Sequence, residues 1–175
     1  PEEFTAQFGP LPEVPEYHLA YTAGYTLAAL LCLARNATSI IEFGTSGGET
    51  TLALARYCPN AKIITLDVDE SKVPYGEHRG GGMRWREEVG VAFHGTPEAE
   101  RIAQVWVHHC GPHDLSKLGG PHDLAFVDSL HTYEGVLRDH EAAMALVKDG
   151  GYIVYDDFLC SGVPTFLNYL DDKMK

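Results

Sequence analysis

Basic residues are scarce in this sequence. The chain has 13 lysines and arginines against 25 aspartates and glutamates, so its formal net charge is −12 at pH 7. The one local concentration of basic residues is Arg79, Arg84 and Arg86. A surface that attracts nucleic acid or an anionic membrane needs a larger basic patch. We therefore expect a small-molecule partner, and neither a nucleic acid nor a membrane.

Long hydrophobic runs and cysteine pairs are also missing. The longest apolar stretch, residues 25–34, falls far short of the roughly 20 residues that cross a bilayer. No charged and hydrophobic leader opens the sequence, so we expect no secretion signal. The four cysteines are widely spaced and form no Cys-x-x-Cys pair, which indicates a reducing compartment. We therefore expect a cytoplasmic protein.

The length of 175 residues suits one sizeable core and is short for two domains. Four prolines fall within residues 1–16. Because proline removes backbone donors and favours extended structure, we expect an N-terminal arm there and a single domain over residues 17–175. Residues 71–95 contain three consecutive glycines and no clear period, which predicts a long, mobile loop that could act as a lid.

Short apolar runs alternate with helical patterns along the rest of the chain. The predicted strands are residues 39–43, 62–66, 104–108, 123–127 and 152–155, and the predicted helices are 18–35, 49–57, 97–103, 133–147 and 163–170. Strands that are apolar on both faces favour an α/β fold with an open, mostly parallel, doubly wound sheet. Ligands bind such sheets at the carboxyl ends of the strands, so Gly44, Asp67, the region of His109, Asp128 and Asp156 should line one edge.

A glycine turn follows the first predicted strand, in the segment Gly44-Thr45-Ser46-Gly47-Gly48. It leads from a buried strand into a helix start, where backbone N–H groups can face a ligand. Asp67 ends the next strand, where a carboxylate can accept hydrogen bonds from both hydroxyls of a ribose. Together these features predict a nucleotide-type cofactor. The alternative is a turn that serves only close helix–strand packing.

The glycine turn departs from the dinucleotide fingerprint Gly-x-Gly-x-x-Gly, because Ser46 stands at the second glycine position. This departure makes NAD a less favoured cofactor for this site. Residues 42–48 instead resemble motif I of class I S-adenosylmethionine-dependent methyltransferases. Residues 126–136 and 148–158 are similar to the macrocin O-methyltransferase and cephalosporin hydroxylase-like branch of that superfamily. The resemblance covers roughly residues 20–170 and is poor over residues 71–122.

This resemblance implies S-adenosylmethionine as the cofactor. Its methionine part would lie against the glycine turn, and Gly111 would approach the adenine. The residues expected to bind it are Glu42, Gly44, Thr45, Ser46, Gly47, Gly48, Asp67, Gly111 and Asp128. The family fold usually ends with a two-strand hairpin after the last helix, and we expect that hairpin to be missing here.

The same resemblance implies a divalent cation, Mg²⁺ or another ion. In metal-dependent O-methyltransferases of this type, carboxylates after the fourth and fifth strands hold the ion, and Asp128, Asp156 and Asp157 occupy the matching positions. Hard oxygen ligands suit Mg²⁺. The alternative is that these residues are solvated strand-end acids or helix caps.

His131 matches the histidine that is the proposed base in the related sugar O-methyltransferases. A neutral imidazole can take a hydroxyl proton near neutral pH. An ordinary surface or core histidine is the alternative. A second group, His108, His109, Cys110 and His113, has a spacing that matches no closed zinc site, so we do not expect zinc there.

These observations favour an S-adenosylmethionine-dependent O-methyltransferase, assisted by a divalent cation, that acts on a hydroxyl of a small molecule such as a sugar or a catechol-like compound. Two alternatives stay open. One is an NAD-dependent oxidoreductase that uses the same glycine turn and Asp67, and the other is a non-catalytic binding domain that has kept the fold. A bare sheet edge near the C-terminus also predicts a cover, either the N-terminal arm or a second subunit in a homo-oligomer.

Overall fold

The computed structural model describes residues 2–12, 24–69, 86–108, 112–160 and 162–174. The strands are β1 (Ser39–Phe43), β2 (Lys62–Val68), β3 (Ile102–Val107), β4 (His122–Val127) and β5 (Val147–Tyr155). The helices are α1 (Glu2–Phe8), α2 (Gly24–Ala34), α3 (Glu49–Tyr57), α4 (Tyr133–Leu146) and α5 (Gly162–Met174). All strand pairs are parallel, in the order β3-β2-β1-β4-β5.

Helices cover both faces of the sheet because the central strands are apolar on both faces. In β1, Ile40 packs in the cluster that includes α2 and α3, whereas Ile41 and Phe43 pack in the cluster that includes α4. A third cluster joins α4 to α5 through Val136 and Phe166. The predicted doubly wound α/β fold is therefore confirmed. None of the described helices has the length and apolar character to cross a membrane.

The segment before β3 differs from the prediction of a short helix over residues 97–103. A 3₁₀ turn, Pro97–Arg101, takes its place, and β3 starts at Ile102. Strand pairing accounts for the early start, since Ile102 is already in register with Ile63 of β2. Because residues from Ile102 onward pair with β2, the helical turn that begins at Pro97 ends at Arg101.

The last strand begins earlier than predicted and contains a bulge. His122 pairs with Val147, but the next partners are Leu124 and Tyr152, so residues 148–151 form an irregularity in β5. Gly150 lies there with φ of 77°, a conformation that favours glycine. Regular pairing from Tyr152 onward matches the predicted strand.

The N-terminal arm is helical rather than extended over Glu2–Phe8, so that part of the prediction was wrong. No proline falls inside this stretch, and Glu2 and Glu3 complement the positive end of the helix. Helix α1 contributes no buried residue. It nevertheless contacts the domain, because the Phe8 ring meets Tyr152 of β5 edge-on at 6.1 Å between centroids.

Candidate active site

The strand order reverses between β1 and β4, and their carboxyl ends lie side by side. Asp128 follows β4, and its N–H donates to the carbonyl of Phe43 at the end of β1 (2.9 Å). The backbone approach is so close at Gly44 (φ of 106°) that a Cβ there would overlap the Asp128 carbonyl oxygen. In open α/β sheets this reversal point is where ligands bind. The glycine turn and Asp128 therefore line one crevice.

Left-handed backbone at three positions, Gly44, Ser46 (φ of 47°) and Gly48 (φ of 87°), shapes the glycine turn. The turn leads directly into α3, whose N-cap residue is Gly48. The N–H groups of Gly44 and Thr45 donate to Leu66 of β2, and that of Gly48 donates to Thr45. The N–H groups of Gly44, Thr45 and Gly48 are thus used within the protein, so the expectation that the turn's N–H groups face a ligand is not met at these three positions.

Asp67 connects the turn to the end of β2. Its Oδ2 accepts a hydrogen bond from the Ser46 N–H (2.7 Å), and its Oδ1 accepts one from the Val68 N–H (2.7 Å). The Asp67 carboxylate is thus held at the strand end, where a carboxylate can accept hydrogen bonds from ribose hydroxyls. The sequence prediction that Asp67 lies beside the glycine turn is met by this contact.

Glu42 lies beneath the turn in the protein interior. Its Oε2 accepts hydrogen bonds from Thr51 and from Thr65, the latter at 2.6 Å. Its Oε1 is buried and finds no hydrogen-bond partner in the described part of the chain. Burial raises the pKa of this carboxyl to about 8. At neutral pH, Glu42 is therefore mostly protonated and supports the turn from below, and its contact with a cofactor stays a prediction.

Residues 86–95 pack onto the outside of the glycine turn. The N–H of Gly90 donates to Ser46 (2.8 Å), and that of Ala92 donates to Gly47 (2.9 Å). Phe93 is buried and lies where a Cβ on Gly48 would have to be. The described end of the predicted loop is thus a packed cover, and residues 71–85, including Trp85, lie outside the described part.

Arg86 anchors that cover at its start. Its guanidinium pairs with the buried carboxylate of Asp69 (2.6 Å) and stacks over the Trp106 ring at 4.8 Å from the centroid. This is a partly exposed ion pair with a cation–π contact. Arg86 therefore has a structural role.

His131 and two aspartates form a charged group beside the glycine turn. The Nε2 of His131 lies 2.7 Å from Asp157 Oδ2 and 3.6 Å from Asp128 Oδ1. The Asp128 and Asp157 carboxylates raise the pKa of His131 above its ordinary value. Burial, together with the charges of Asp156 and Asp157, raises the pKa of Asp128 to about 6. The structure thus brings the predicted base next to two of the predicted metal ligands.

The three predicted cation ligands do not all come together in the structure. Within the described ranges, one group of three possible ligands has all its donor atoms within 4.8 Å of one another, and it is His131, Asp157 and Cys160. Asp128, Asp156 and Asp157 do not converge in this way. An all-oxygen Mg²⁺ site does not fit the side chains as they stand. The sequence reasoning missed Cys160, whose position three residues after Asp157 was an available signal.

A second buried polar group lies behind the site. Asp139 of α4 accepts hydrogen bonds from Ser129, which follows β4, and is held 2.6 Å from His113 Nε2. Arg138 also contacts the Asp139 carboxylate (2.8 Å). These bonds tie the segment after β4 to the segment before it. The sequence presents His113 only as a possible zinc ligand. It does not predict the pairing of His113 with Asp139, because the two are 26 residues apart.

Three of the residues considered from sequence lie outside the described part: His109, Cys110 and Gly111. The adenine contact of Gly111 therefore stays a prediction. Thr45 is described and buried, with its hydroxyl 2.7 Å from that of Thr65. It is accordingly part of the turn's internal support.

Comparison with known proteins gives one family: the model of a methyltransferase domain matches residues 41–158. No curated protein sequence matches the chain. Among solved structures, the O-methyltransferase TomG from Streptomyces achromogenes, involved in tomaymycin synthesis and in complex with SAM, is 21% identical with a TM-score of 0.62. That alignment covers 97% of this chain and 75% of TomG.

Two further structures are similar. An O-methyltransferase from Bacillus cereus in complex with SAH is 16% identical with a TM-score of 0.57, over 98% of this chain and 78% of that one. A precorrin-6y C5,15-methyltransferase from Geobacter metallireducens is 14% identical with a TM-score of 0.64, over 93% of this chain and 80% of that one. At these identities the structural likeness establishes the fold alone.

Proposed function

The chain belongs to the methyltransferase-domain family, and from that premise we propose that it transfers a methyl group from S-adenosylmethionine to a hydroxyl of a small molecule. The observation that carries this proposal is the contact between the glycine turn and the segment holding the acid–base group. Gly44 abuts the Asp128 backbone, and His131 lies beside the Asp128 carboxylate. A cofactor on the turn would therefore present its reactive end to His131.

The cofactor half of this proposal rests on the glycine turn and Asp67. The turn would hold the methionine part of the cofactor, and the Asp67 carboxylate at the end of β2 would accept hydrogen bonds from the ribose hydroxyls. S-adenosylmethionine supplies an electrophilic methyl group on a sulfonium. The protein's task is to hold that carbon in line with the acceptor oxygen, because alignment supplies much of the rate in such transfers.

The acid–base half rests on His131. The negative charges of the two carboxylates near Nε2 favour a proton on that nitrogen, which leaves Nδ1 as the base. With S-adenosylmethionine bound as the methyl donor, Nδ1 of His131 would take the proton that the acceptor hydroxyl loses. The resulting imidazolium is stabilised by Asp157, 2.7 Å away, and by Asp128.

A divalent cation on Asp128, Asp156 and Asp157 stays a prediction from the resemblance. Bound there, it would hold and acidify the acceptor hydroxyl. The three carboxylates do not converge on one point as they stand. We likewise propose that the chain belongs to the macrocin O-methyltransferase and cephalosporin hydroxylase-like branch, and that its acceptor is a sugar or a catechol-like compound. The resemblance over residues 126–136 and 148–158 supports this proposal.

Calorimetry with S-adenosylhomocysteine and methyl transfer from labelled S-adenosylmethionine to a panel of hydroxyl compounds test the proposal. We expect Asp67→Ala to weaken cofactor binding. His131→Gln should leave binding intact and lower the rate by about 10² to 10⁴. Binding of NADH in place of the S-adenosyl compounds would overturn the proposal, and cofactor binding without turnover would support the non-catalytic alternative.

The pH dependence gives a second test of the base. Activity should rise with pH as His131 loses its proton, with the midpoint above the ordinary histidine pKa of about 6.5, because the carboxylates favour the charged form. Asp157→Asn removes one of those charges and should move the midpoint to lower pH. An unchanged midpoint in this variant would show that His131 does not control the rate.

A further inference from the structure

We propose that His131, Asp157 and Cys160 form a binding site for a borderline divalent transition-metal ion such as Zn²⁺. This site is distinct in ligands and in metal class from the three-aspartate Mg²⁺ site that the family resemblance implies. It shares only Asp157 with that set. It also differs from the group of His108 to His113, where zinc was not expected.

The backbone brings two of the three ligands together through a tight turn. Asp157 and Cys160 are joined by a hydrogen bond from the Cys160 N–H to the Asp157 carbonyl (2.7 Å). Asp157 takes φ of 54°, a conformation that aspartate and asparagine adopt more readily than most residues. His131 arrives from the segment between β4 and α4. The result is a nitrogen, an oxygen and a sulfur donor that all lie within 4.8 Å of one another.

The contact between His131 and Asp157 supplies a second, independent indication. Nε2 lies 2.7 Å from Asp157 Oδ2, yet this buried nitrogen has no aligned hydrogen-bond partner among the described residues. A close N···O approach without alignment suits two atoms that point at a shared third atom better than it suits a hydrogen bond. A metal ion bound to both atoms would use a lone pair of each, after the two atoms move apart by about 0.6 Å or more.

The donor types decide the class of ion. Zinc binds histidine nitrogen, carboxylate oxygen and cysteine sulfur at about 2.0 to 2.3 Å, which places tetrahedral ligand atoms about 3.3 to 3.8 Å apart. Side-chain adjustments of about 1 Å would therefore complete the site. Three protein ligands leave a fourth position open, as in zinc sites that bind a further molecule. Mg²⁺ prefers oxygen donors and tolerates sulfur poorly.

Occupancy has a consequence that rests on the proposed function. A metal on Nε2 takes one lone pair of the neutral imidazole, so the single ring proton must sit on Nδ1. Nδ1 then has no lone pair with which to accept a proton from the acceptor hydroxyl. Zinc should therefore inhibit methyl transfer reversibly, and a chelator should restore it.

Cobalt(II) is the probe for binding, because it replaces zinc in such sites and is coloured. Co²⁺ titrated into chelator-treated protein should give a thiolate-to-cobalt charge-transfer band that saturates at one equivalent. Zn²⁺ should abolish the band at one equivalent, and excess Mg²⁺ should leave it unchanged. Cys160→Ser should lose the band, whereas Cys32→Ala, which removes a different buried thiol, should retain it.

Two ligand variants complete the test. Asp157→Asn and His131→Gln should each weaken Zn²⁺ binding by more than about 10- to 100-fold, which is the cost of losing only a hydrogen-bond partner of a metal ligand. Asparagine tolerates the backbone conformation of Asp157. Circular dichroism should show that all variants are folded. Absence of the band, its survival in Cys160→Ser, or its displacement by Mg²⁺ would overturn the proposal. These readouts need neither cofactor nor turnover, so failure of the metal site and failure of the methyltransferase assignment are separable.

Discussion

Single residues decide whether the glycine turn can form, and Gly44 is the most constrained of them. Alanine there would have to adopt φ of 106° and would overlap the Asp128 carbonyl. Gly95 offers a matched control, because it has φ of 75° with open space around it. Gly95→Ala should cost only the left-handed backbone, about 1 to 2 kcal/mol. Gly44→Ala should cost at least about twice that in denaturant unfolding, and equal losses would show that the close approach is not real.

The buried carboxyl of Glu42 predicts a pH-dependent penalty at the same place. Its pKa rises from 4.5 to about 8 on folding. Between these values the unfolded chain releases the proton while the folded chain keeps it, so stability falls as pH rises, by up to about 1.4 kcal/mol per pH unit. Glu42→Gln has a similar shape and no proton to lose. Its unfolding free energy relative to the parent should increase from pH 5 to pH 8, and a difference that does not change with pH would contradict a neutral Glu42.

Among single residues, the sequence predicted those that follow strand ends. It did not predict those whose roles depend on a contact between distant segments. The glycine turn and Asp67 were predictable because strand, turn and helix periods place them directly. The pairing of His113 with Asp139 and the convergence of His131 with Cys160 depend on how separate segments meet. Nothing in local period or composition encodes those contacts.

Among the elements, strands β1, β4 and β5 are joined at their starts by one side chain, Asp123. Its carboxylate accepts hydrogen bonds from Thr38 and from the Ser39 N–H (3.0 Å), and it pairs with Lys148 in the β5 bulge. Burial alone would raise the pKa of Asp123, but these donors together hold it well below its usual range. These donors therefore stabilise the charged form of Asp123, and the charged carboxylate in turn stabilises the parallel pairing of the three strands.

Asp123→Asn should lower the unfolding free energy near pH 7 by about 1 to 3 kcal/mol, the scale of hydrogen bonds to a charged group. Because the folded-state pKa is depressed, this contribution is present above the unfolded value of about 3.8 and is lost as pH falls below it. The two unfolding curves should converge in acid. Asp149→Asn, which changes an exposed acid in the same bulge, should have little effect at any pH. Similar losses in both variants would assign the effect to net charge.

Element boundaries show where sequence patterns were sufficient. Strand β1 and helix α3 have the predicted limits because a β-branched run and a glycine turn mark them. The limits of β3 and β5 differ, since pairing with a neighbouring strand extends both beyond their own apolar runs. Residues 86–95 looked irregular because they follow no period. Their order comes from hydrogen bonds to the glycine turn, which a one-dimensional pattern does not reveal.

For the whole molecule, the parallel sheet and its two covered faces followed from alternation of strands and helices. The order of the strands did not, because either neighbour of β1 is compatible with the same sequence of elements. The observed reversal between β1 and β4 places the glycine turn against Asp128, and this single contact joins the proposed cofactor and acid–base halves of the site. The proposed function thus depends on the order of the strands, which packing determines.

The sheet edge at β5 leads to a prediction about assembly. Within the described sheet β5 has one strand neighbour, β4, and its unpaired side is a potential pairing surface for another chain. Helix α1 packs close to this strand: Phe8 contacts Tyr152, and the Cys32 thiol of α2 donates to the Phe8 carbonyl (3.3 Å). We therefore expect removal of residues 1–12 to lower stability and to promote self-association, which light scattering after size exclusion measures.

Phe8→Ala is the matched control for the ring contact alone, with an expected loss of about 1 kcal/mol. A homo-oligomer that the deletion does not change would show that a second subunit covers the edge, whereas a monomer that the deletion leaves equally stable would show that the edge needs no cover.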